Sequence, residues 1–255
     1  MNLTDYLEFT TETAYLAGKL TLGYFQAGVR PDYKKDDTPV TVADRLSEEL
    51  IRRRIEERYP DHAVVGEEFG IKETQGAAFR WFIDPIDGTK AFVRGVPLYA
   101  VLIGLEVEGK PTVGAAYFPA LDEMLCGAIG LGAWWNGRRA RVSECDRLDR
   151  AYLACTDPGS FAKHGRQAAW ERLAQATYYR AGWSDAYGYL LAATGRVEIM
   201  VDAIMDVWDC GPFPPILAEA GGYFGDWKGN VGIYGREGLA TTQKLFPEVL
   251  RVIEG

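Results

Sequence analysis

The nine residues WFIDPIDGT, Trp81 to Thr89, constrain the fold more than any other stretch of the chain. An aromatic and β-branched run that stops at two aspartates around a proline, then a glycine and a threonine, reads as a buried strand with Asp84 and Asp87 at its tip. Carboxylates in such a place are costly to desolvate unless a cation neutralises them, and a hard metal ion meets that need. Pro85 fixes its own φ and stiffens the turn that carries both aspartates. Gly88-Thr89 then leads into a helix start, whose backbone N–H groups favour an anion such as phosphate.

The rest of the composition narrows the chemistry. A net charge of −8 over 255 residues lacks the basic surplus that a nucleic-acid scaffold needs. Cys126, Cys145, Cys155 and Cys210 form no C-x-x-C pair, which leaves neither a zinc knuckle nor a dithiol motif and points to reduced, mostly buried thiols. Only two histidines occur, His62 and His164, both expected to face solvent. Their scarcity excludes a multi-imidazole metal site and disfavours a Ser-His-Asp triad. No run approaches the roughly 20 apolar residues of a membrane span, and the N-terminal stretch lacks a basic segment before an apolar one, so a cytoplasmic location is expected.

Helical periodicity runs from Leu3 to about Ala27 and again from Ala43 to about Tyr59, with the loop KKDDTPVTVAD between. The charged residues Arg52 to Arg58 are expected to form a solvated face. Short strand-like runs follow Thr89 (Leu98 to Leu105, Thr112 to Phe118, Glu123 to Ala128, Ala133 to Trp135), punctuated by Glu108-Gly109 and Asn136-Gly137, as in an antiparallel sheet. From about Ala151, strand-like and helical segments alternate, which predicts a second α/β subdomain. Gly104 to Lys110 fits the first seven positions of a phosphate-binding loop, but Pro111 stands where a hydroxyl is required and a hairpin fits better. The pairs Trp134-Trp135 and Tyr178-Tyr179 lack a basic groove and are expected to pack in the core or at a subunit interface.

Glu67 in GEEFG, Asp84 and Asp87 in DPIDGT, and Asp209 in VWDCGPF combine into one proposal. Such carboxylates with a backbone carbonyl suit magnesium, which prefers oxygen ligands and keeps exchangeable waters. With Asp84 bridging, two ions roughly 3.5–4 Å apart could hold a phosphate oxygen and activate a water. The bland alternative makes Asp84 and Asp87 turn formers and Glu67 a loop acid.

Three ordered blocks, GEEFG, WFIDPIDGT and VWDCGPFPPILAEAGG, resemble the inositol monophosphatase-like family of metal-dependent phosphatases, and the likeness extends over nearly the whole chain. The resemblance implies Glu67, Asp84, the Ile86 carbonyl, Asp87 and Asp209 as ligands for two or three Mg2+ ions, with Gly88 and Thr89 on phosphate. It also implies Glu67, Asp44 and Thr89 as catalytic residues, Asp44 and Thr89 orienting the attacking water, although Asp44 fits a helix N-cap equally. Lys34 or Lys35 would stand at the entrance. The run from Cys210 to Pro215 departs from the alanine-rich family pattern, which puts the local backbone path in doubt. DPIDGTKAFVRG with GWSDAYGY looks most like the histidinol-phosphate phosphatase branch, and Asp185 and Asp202 would meet a leaving group bearing an ammonium. Asp185 fits a helix cap as well.

The expected fold is accordingly an α/β (α+β) structure, a layered α-β-α-β-α sandwich of two subdomains like inositol monophosphatase and fructose bisphosphatase. Residues 1–150 would form the N-terminal subdomain and 151–255 the C-terminal one. The expected activity is hydrolysis of a small phosphate monoester, histidinol phosphate first, with inositol, sugar or nucleotide phosphates as alternatives. A non-catalytic metal- or phosphate-binding protein is the rival of another class. The family implies a homodimer; neither nucleic acid nor membrane is an expected partner, and the roles of Lys90 and Arg94 stay open.

Overall fold

A computed structural model describes residues 2–35 and 37–255, so Met1 of the expected first subdomain and Asp36 of the expected loop lie outside the described residues. The larger sheet has eight strands. In spatial order they are Arg138–Arg139, Gly132–Trp135, Glu123–Ala128, Lys110–Phe118, Ala100–Val107, Phe79–Asp87, Ala63–Gly66 and Gly70–Lys72. Neighbours run antiparallel except Ala63–Gly66 beside Phe79–Asp87. The smaller sheet orders Tyr179–Ala181, Tyr152–Cys155, Ile199–Asp202, Gly238–Thr242 and Gly222–Gly225, its first three strands parallel and the rest antiparallel.

Alternation along each strand explains the layering, because successive side chains point to opposite faces. Trp81, Ile83, Val101, Ile103 and Val113 meet Phe9, Ala17, Ile51 and Ile55 of helices Leu3–Leu22 and Val42–Arg58 on the outer face. Phe82, Leu102, Ala116 and Leu125 meet Tyr189, Leu190, Phe213 and Ile216 of helices Ala186–Ala193 and Phe213–Ala220 on the inner face. Those helices also cover Met200, Phe224 and Ala240 of the smaller sheet. Its far face packs Leu153, Ile199 and Leu239 against Leu173, Val249 and Ile253 of helices Gln167–Ala176 and Phe246–Glu254. The stack is the expected α-β-α-β-α sandwich, and no helix among the described residues is long and apolar enough to cross a membrane.

Several local expectations shift. The first helix stops at Leu22, where Gly23 bonds back to Leu20 and Thr21 and the chain turns through Gln26 and Gly28 at positive φ. Thr41 caps the second helix and Asp44 sits at its third position in a capping box, rather than opening it. Both hairpins form with paired positive φ values, 49° and 76° at Glu108-Gly109 and 46° and 74° at Asn136-Gly137, as mirror-image two-residue turns require. Arg52 departs from the expected solvated face, binding Glu48 and the Gly70 carbonyl.

His62 also contradicts the solvent-facing expectation. It is 8% exposed, stacked with Tyr59 and Phe79, and its Nδ1 accepts from Trp81 Nε1 at 3.0 Å. Burial lowers its pKa, which favours the neutral ring that this acceptor requires. His164 is exposed as expected. Cys155 and Cys210 are buried thiols, with Cys126 and Cys145 half-buried. Tyr178 and Tyr179, at an edge strand, are 65% and 54% exposed and do not enter the core.

Two strand glycines let the halves meet. A Cβ on Gly104 would stand 2.4 Å from the Gly211 carbonyl carbon, and one on Gly114 would stand 2.1 Å from the Pro212 oxygen. The segment after Asp209 therefore rests directly on the sheet backbone. Gly114→Ala is expected to lower unfolding stability by about 2 kcal/mol or more in urea titrations, because backbone atoms must yield; an unchanged midpoint would contradict this close approach.

Candidate active site

The strand Phe79–Asp87 delivers two aspartates to one side by breaking its own regularity. Asp84 pairs with Leu102 but Asp87 pairs with Ala100, so the DPID segment carries one extra residue, a β-bulge. Residues three apart in a regular strand face opposite sides, and the bulge brings both carboxylates together. Asp209 joins them from the helical turn Val207–Cys210, and ligand atoms of the three lie within 4.8 Å of one another. Its Oδ2 accepts from the Asp206 N–H at 2.8 Å in a capping box, which aims the carboxylate. The departure of this segment from the alanine-rich pattern leaves that turn intact.

Glu67 leaves the strand Ala63–Gly66 and borders the same cavity of about 170 Å3, together with Ile86, Gly88, Thr89, Lys90 and Asp185. Lys34 Nζ contacts Glu67 Oε1 at 2.7 Å and Glu68 Oε1 at 2.6 Å, so Lys34 is a lysine that reaches this cluster. Asp44 Oδ2 accepts from the Thr41 N–H at 2.8 Å and its hydroxyl at 2.6 Å. The Thr89 hydroxyl lies 3.0 Å from the Ile86 carbonyl oxygen and 3.4 Å from Asp44 Oδ1. Asp44 is thus not the N-cap itself but serves the cap through Oδ2, while its Oδ1 lies toward Thr89. Gly88 sits at φ 80°, a left-handed conformation natural to glycine, and starts the short helix Thr89–Val93.

Asp185 occupies a helix N-cap position, but its side chain makes no capping hydrogen bond and instead lines the cavity. The adjoining Ala186 N–H donates to Asp87 Oδ2 at 2.7 Å. Asp202 is a buried lining residue of a second cavity of about 270 Å3, with its oxygens accepting from the Thr156 N–H at 2.9 Å and the Tyr189 hydroxyl at 3.0 Å. A wider groove of about 780 Å3 lies between the first two helices, remote from this cluster.

Sequence reasoning missed Glu48. It is fully buried, pairs with Arg52 at 2.7 Å, and accepts from the N–H groups of Glu68 and Phe69 at 2.7 and 3.2 Å, fixing the turn that presents Glu67. The one signal in the sequence was its i,i+4 spacing to Arg52; the structure adds that a Cβ on Gly66 would fall 2.0 Å from Glu48 Oε1.

The cluster is electrostatically unbalanced. Burial first, and then the charges of Glu67, Asp87 and Asp209, push Asp84 well above the usual carboxylate range. Asp87 is raised in the same way by burial and by Asp185 and Asp209. Burial moves Asp209 up to about 7 and Asp44 to about 6. Glu67 rises by burial against the opposing pull of Lys34. Oxygen-only donors, crowded and short of positive charge, fit a hard divalent cation, which Asp84, Asp87 and Asp209 are close enough to share, with Glu67 and Ile86 on the same cavity.

Comparison with known proteins gives the family. The inositol monophosphatase family model matches residues 2–254. A histidinol-phosphatase of Chlorobaculum parvum is 42% identical over 240 residues, covering 94% of this chain and 92% of that one. A histidinol-phosphatase of Mycobacterium tuberculosis is 36% identical over 252 residues, covering 96% of each. The solved inositol monophosphatase of Zymomonas mobilis superposes with a TM-score of 0.89 at 28% identity over the full length of both chains.

The displaced carboxylates set a pH dependence. An aspartate near 3.8 when unfolded and about 7 in the fold, as for Asp209, makes the folded state hold more protons between those values. In chelator-treated protein its stabilising contribution is complete below pH ~4 and is lost as pH rises through ~7. Melting temperature is therefore expected to fall across that window, and a smaller fall in Asp209→Asn would identify the source; a rise in wild type would refute the assignment.

Proposed function

Because the chain belongs to the inositol monophosphatase family and is a phosphatase, we propose that it is a magnesium-dependent histidinol-phosphatase. The observation that carries the substrate assignment is the position of Asp185 between the carboxylate cluster and the second cavity, in a chain 42% identical to a protein named histidinol-phosphatase. A leaving alcohol bearing an ammonium would face Asp185 there. Burial raises Asp185 to about 6 with Lys90 pulling the other way, and a cation in place would favour its ionised form. Asp202, with both oxygens occupied by protein donors, would contribute charge from behind.

Mg2+ ions, two or three in number, would be held by Glu67, Asp84, Ile86, Asp87 and Asp209, and when bound would neutralise phosphate charge and lower the pKa of water. The chain's own groups would do the rest. Gly88 and Thr89 would give N–H groups to the phosphate. Thr89 and Asp44 would orient a water for in-line attack, with Glu67 accepting its proton and Lys34 holding Glu67 in place. On the same reading the enzyme works in histidine biosynthesis, in the cytoplasm, as a homodimer. Residues 1–150 and 151–255 would act as its two subdomains.

Two experiments test this. Asp87→Asn is expected to stay folded and to lose about a hundredfold or more in kcat, because a carboxylate central to the cluster is gone; full activity would contradict the site. In a panel of histidinol phosphate, inositol 1-phosphate, fructose 1,6-bisphosphate and a nucleotide monophosphate at saturating Mg2+, histidinol phosphate is expected to give the highest kcat/KM. Asp185→Asn is expected to cut that advantage about tenfold, the scale of one charge-assisted contact. A flat panel would move the assignment to a broader phosphatase, and no phosphate release from any ester would favour a non-catalytic binding protein.

A further inference from the structure

The cleft beyond the phosphate pocket holds aromatic surface that the hydrolysis itself does not use. A space of about 750 Å3 opens from the site and shares Pro39, Lys90 and Asp185 with the carboxylate cavity. Trp183 and Tyr33 line it while 51% and 68% exposed. Leaving two large rings in water forgoes the burial that such side chains ordinarily gain.

Trp183 is also held in place at a conformational cost. Its φ is 61° and that of Asp185 is 43°, in the left-handed region that bulky side chains rarely enter. The Trp183 N–H donates to the Thr156 carbonyl at 2.8 Å, which ties the segment to the end of the strand Tyr152–Cys155. Backbone strain of this kind concentrates at ligand clamps, where the surrounding structure enforces it.

The lining charges define what the rings would meet. Asp37, Asp157 and Asp185 outnumber Lys90 and Arg94. One Asp157 oxygen accepts from the Gly159 N–H at 2.8 Å. Aromatic faces beside carboxylates suit a planar, positively charged or polarisable ring. The neighbouring cavity shares Asp157 and Asp185 and is acidic as well, but it is lined by Lys163 and His164 and by neither Trp183 nor Tyr33.

We infer that Trp183 is a specificity-determining residue, with the heteroaromatic ring of the leaving alcohol lying against its indole, Tyr33 lining the same cleft, and the ammonium on Asp185. This rests on the substrate reading given above. The experiment measures kcat and KM for histidinol phosphate and for glycerol 2-phosphate, which has neither ring nor ammonium, in wild type, Trp183→Ala, Trp183→Phe and Trp183→Gly. The expected result is a drop of about tenfold in the ratio of the two kcat/KM values in the Ala and Gly variants, carried by KM for histidinol phosphate, with most of it restored by Phe. Inhibition by free histidinol should weaken in parallel. The Gly variant removes the ring and relieves the positive φ together, so it carries the test if the Ala variant fails to fold. Equal losses on both esters would overturn the inference and make Trp183 structural. An unchanged ratio in variants of an enzyme that still prefers histidinol phosphate would overturn it while the substrate reading stands. A wild type with no such preference would overturn both.

Discussion

Crowded negative charge inside the join between two sheets is the constraint around which this molecule is organised. Asp84, Asp87 and Asp209 stand within reach of a common centre, with Glu67 on the same cavity. Lys34 answers Glu67, and Lys90 faces Asp185, but burial and mutual repulsion still displace the carboxylates upward. An apolar lining of the same shape would be more stable without ions, since burying like charges costs free energy that only a partner returns. The three apolar clusters that include the sheet faces supply the stability against which this local cost is set.

The surrounding residues hold that arrangement through the backbone more than through side-chain contacts among the acids. The bulge at DPID turns two aspartates to one side, the capping box at Asp206 aims Asp209, and Glu48 anchors the turn that carries Glu67. Each device acts on a different stretch of chain. A site built this way takes its geometry from the fold's own hydrogen bonds and strand register.

What could be read in advance follows from the range of the forces involved. The hairpins at Glu108-Gly109 and Asn136-Gly137 and the helix Val42–Arg58 were legible because their determinants are local turn chemistry and periodicity. The convergence of Glu67, Asp84, Asp87 and Asp209 was legible through the three ordered blocks, not through spacing. His62 was misread because its aromatic surroundings come from Tyr6, Tyr59, Phe79 and Trp81, which only tertiary packing assembles. Glu48 was hidden among the many charges of a helix in which Asp44, Glu48 and Arg52 turn inward to buried or half-buried partners. The side-chain direction of Asp185 could not be read from a sequence that serves equally for a cap.

The bare strand glycines Gly104 and Gly114 have a consequence for assembly. They form the bed on which the Gly211-Pro212 backbone rests, so the meeting of Asp209 with its companions depends on the second half of the chain being packed on the first. A partly folded intermediate with only the eight-stranded sheet would own an incomplete set of acids. A cation that recognises the completed set would act as a latch, drawing the folding equilibrium toward the fully packed molecule by mass action.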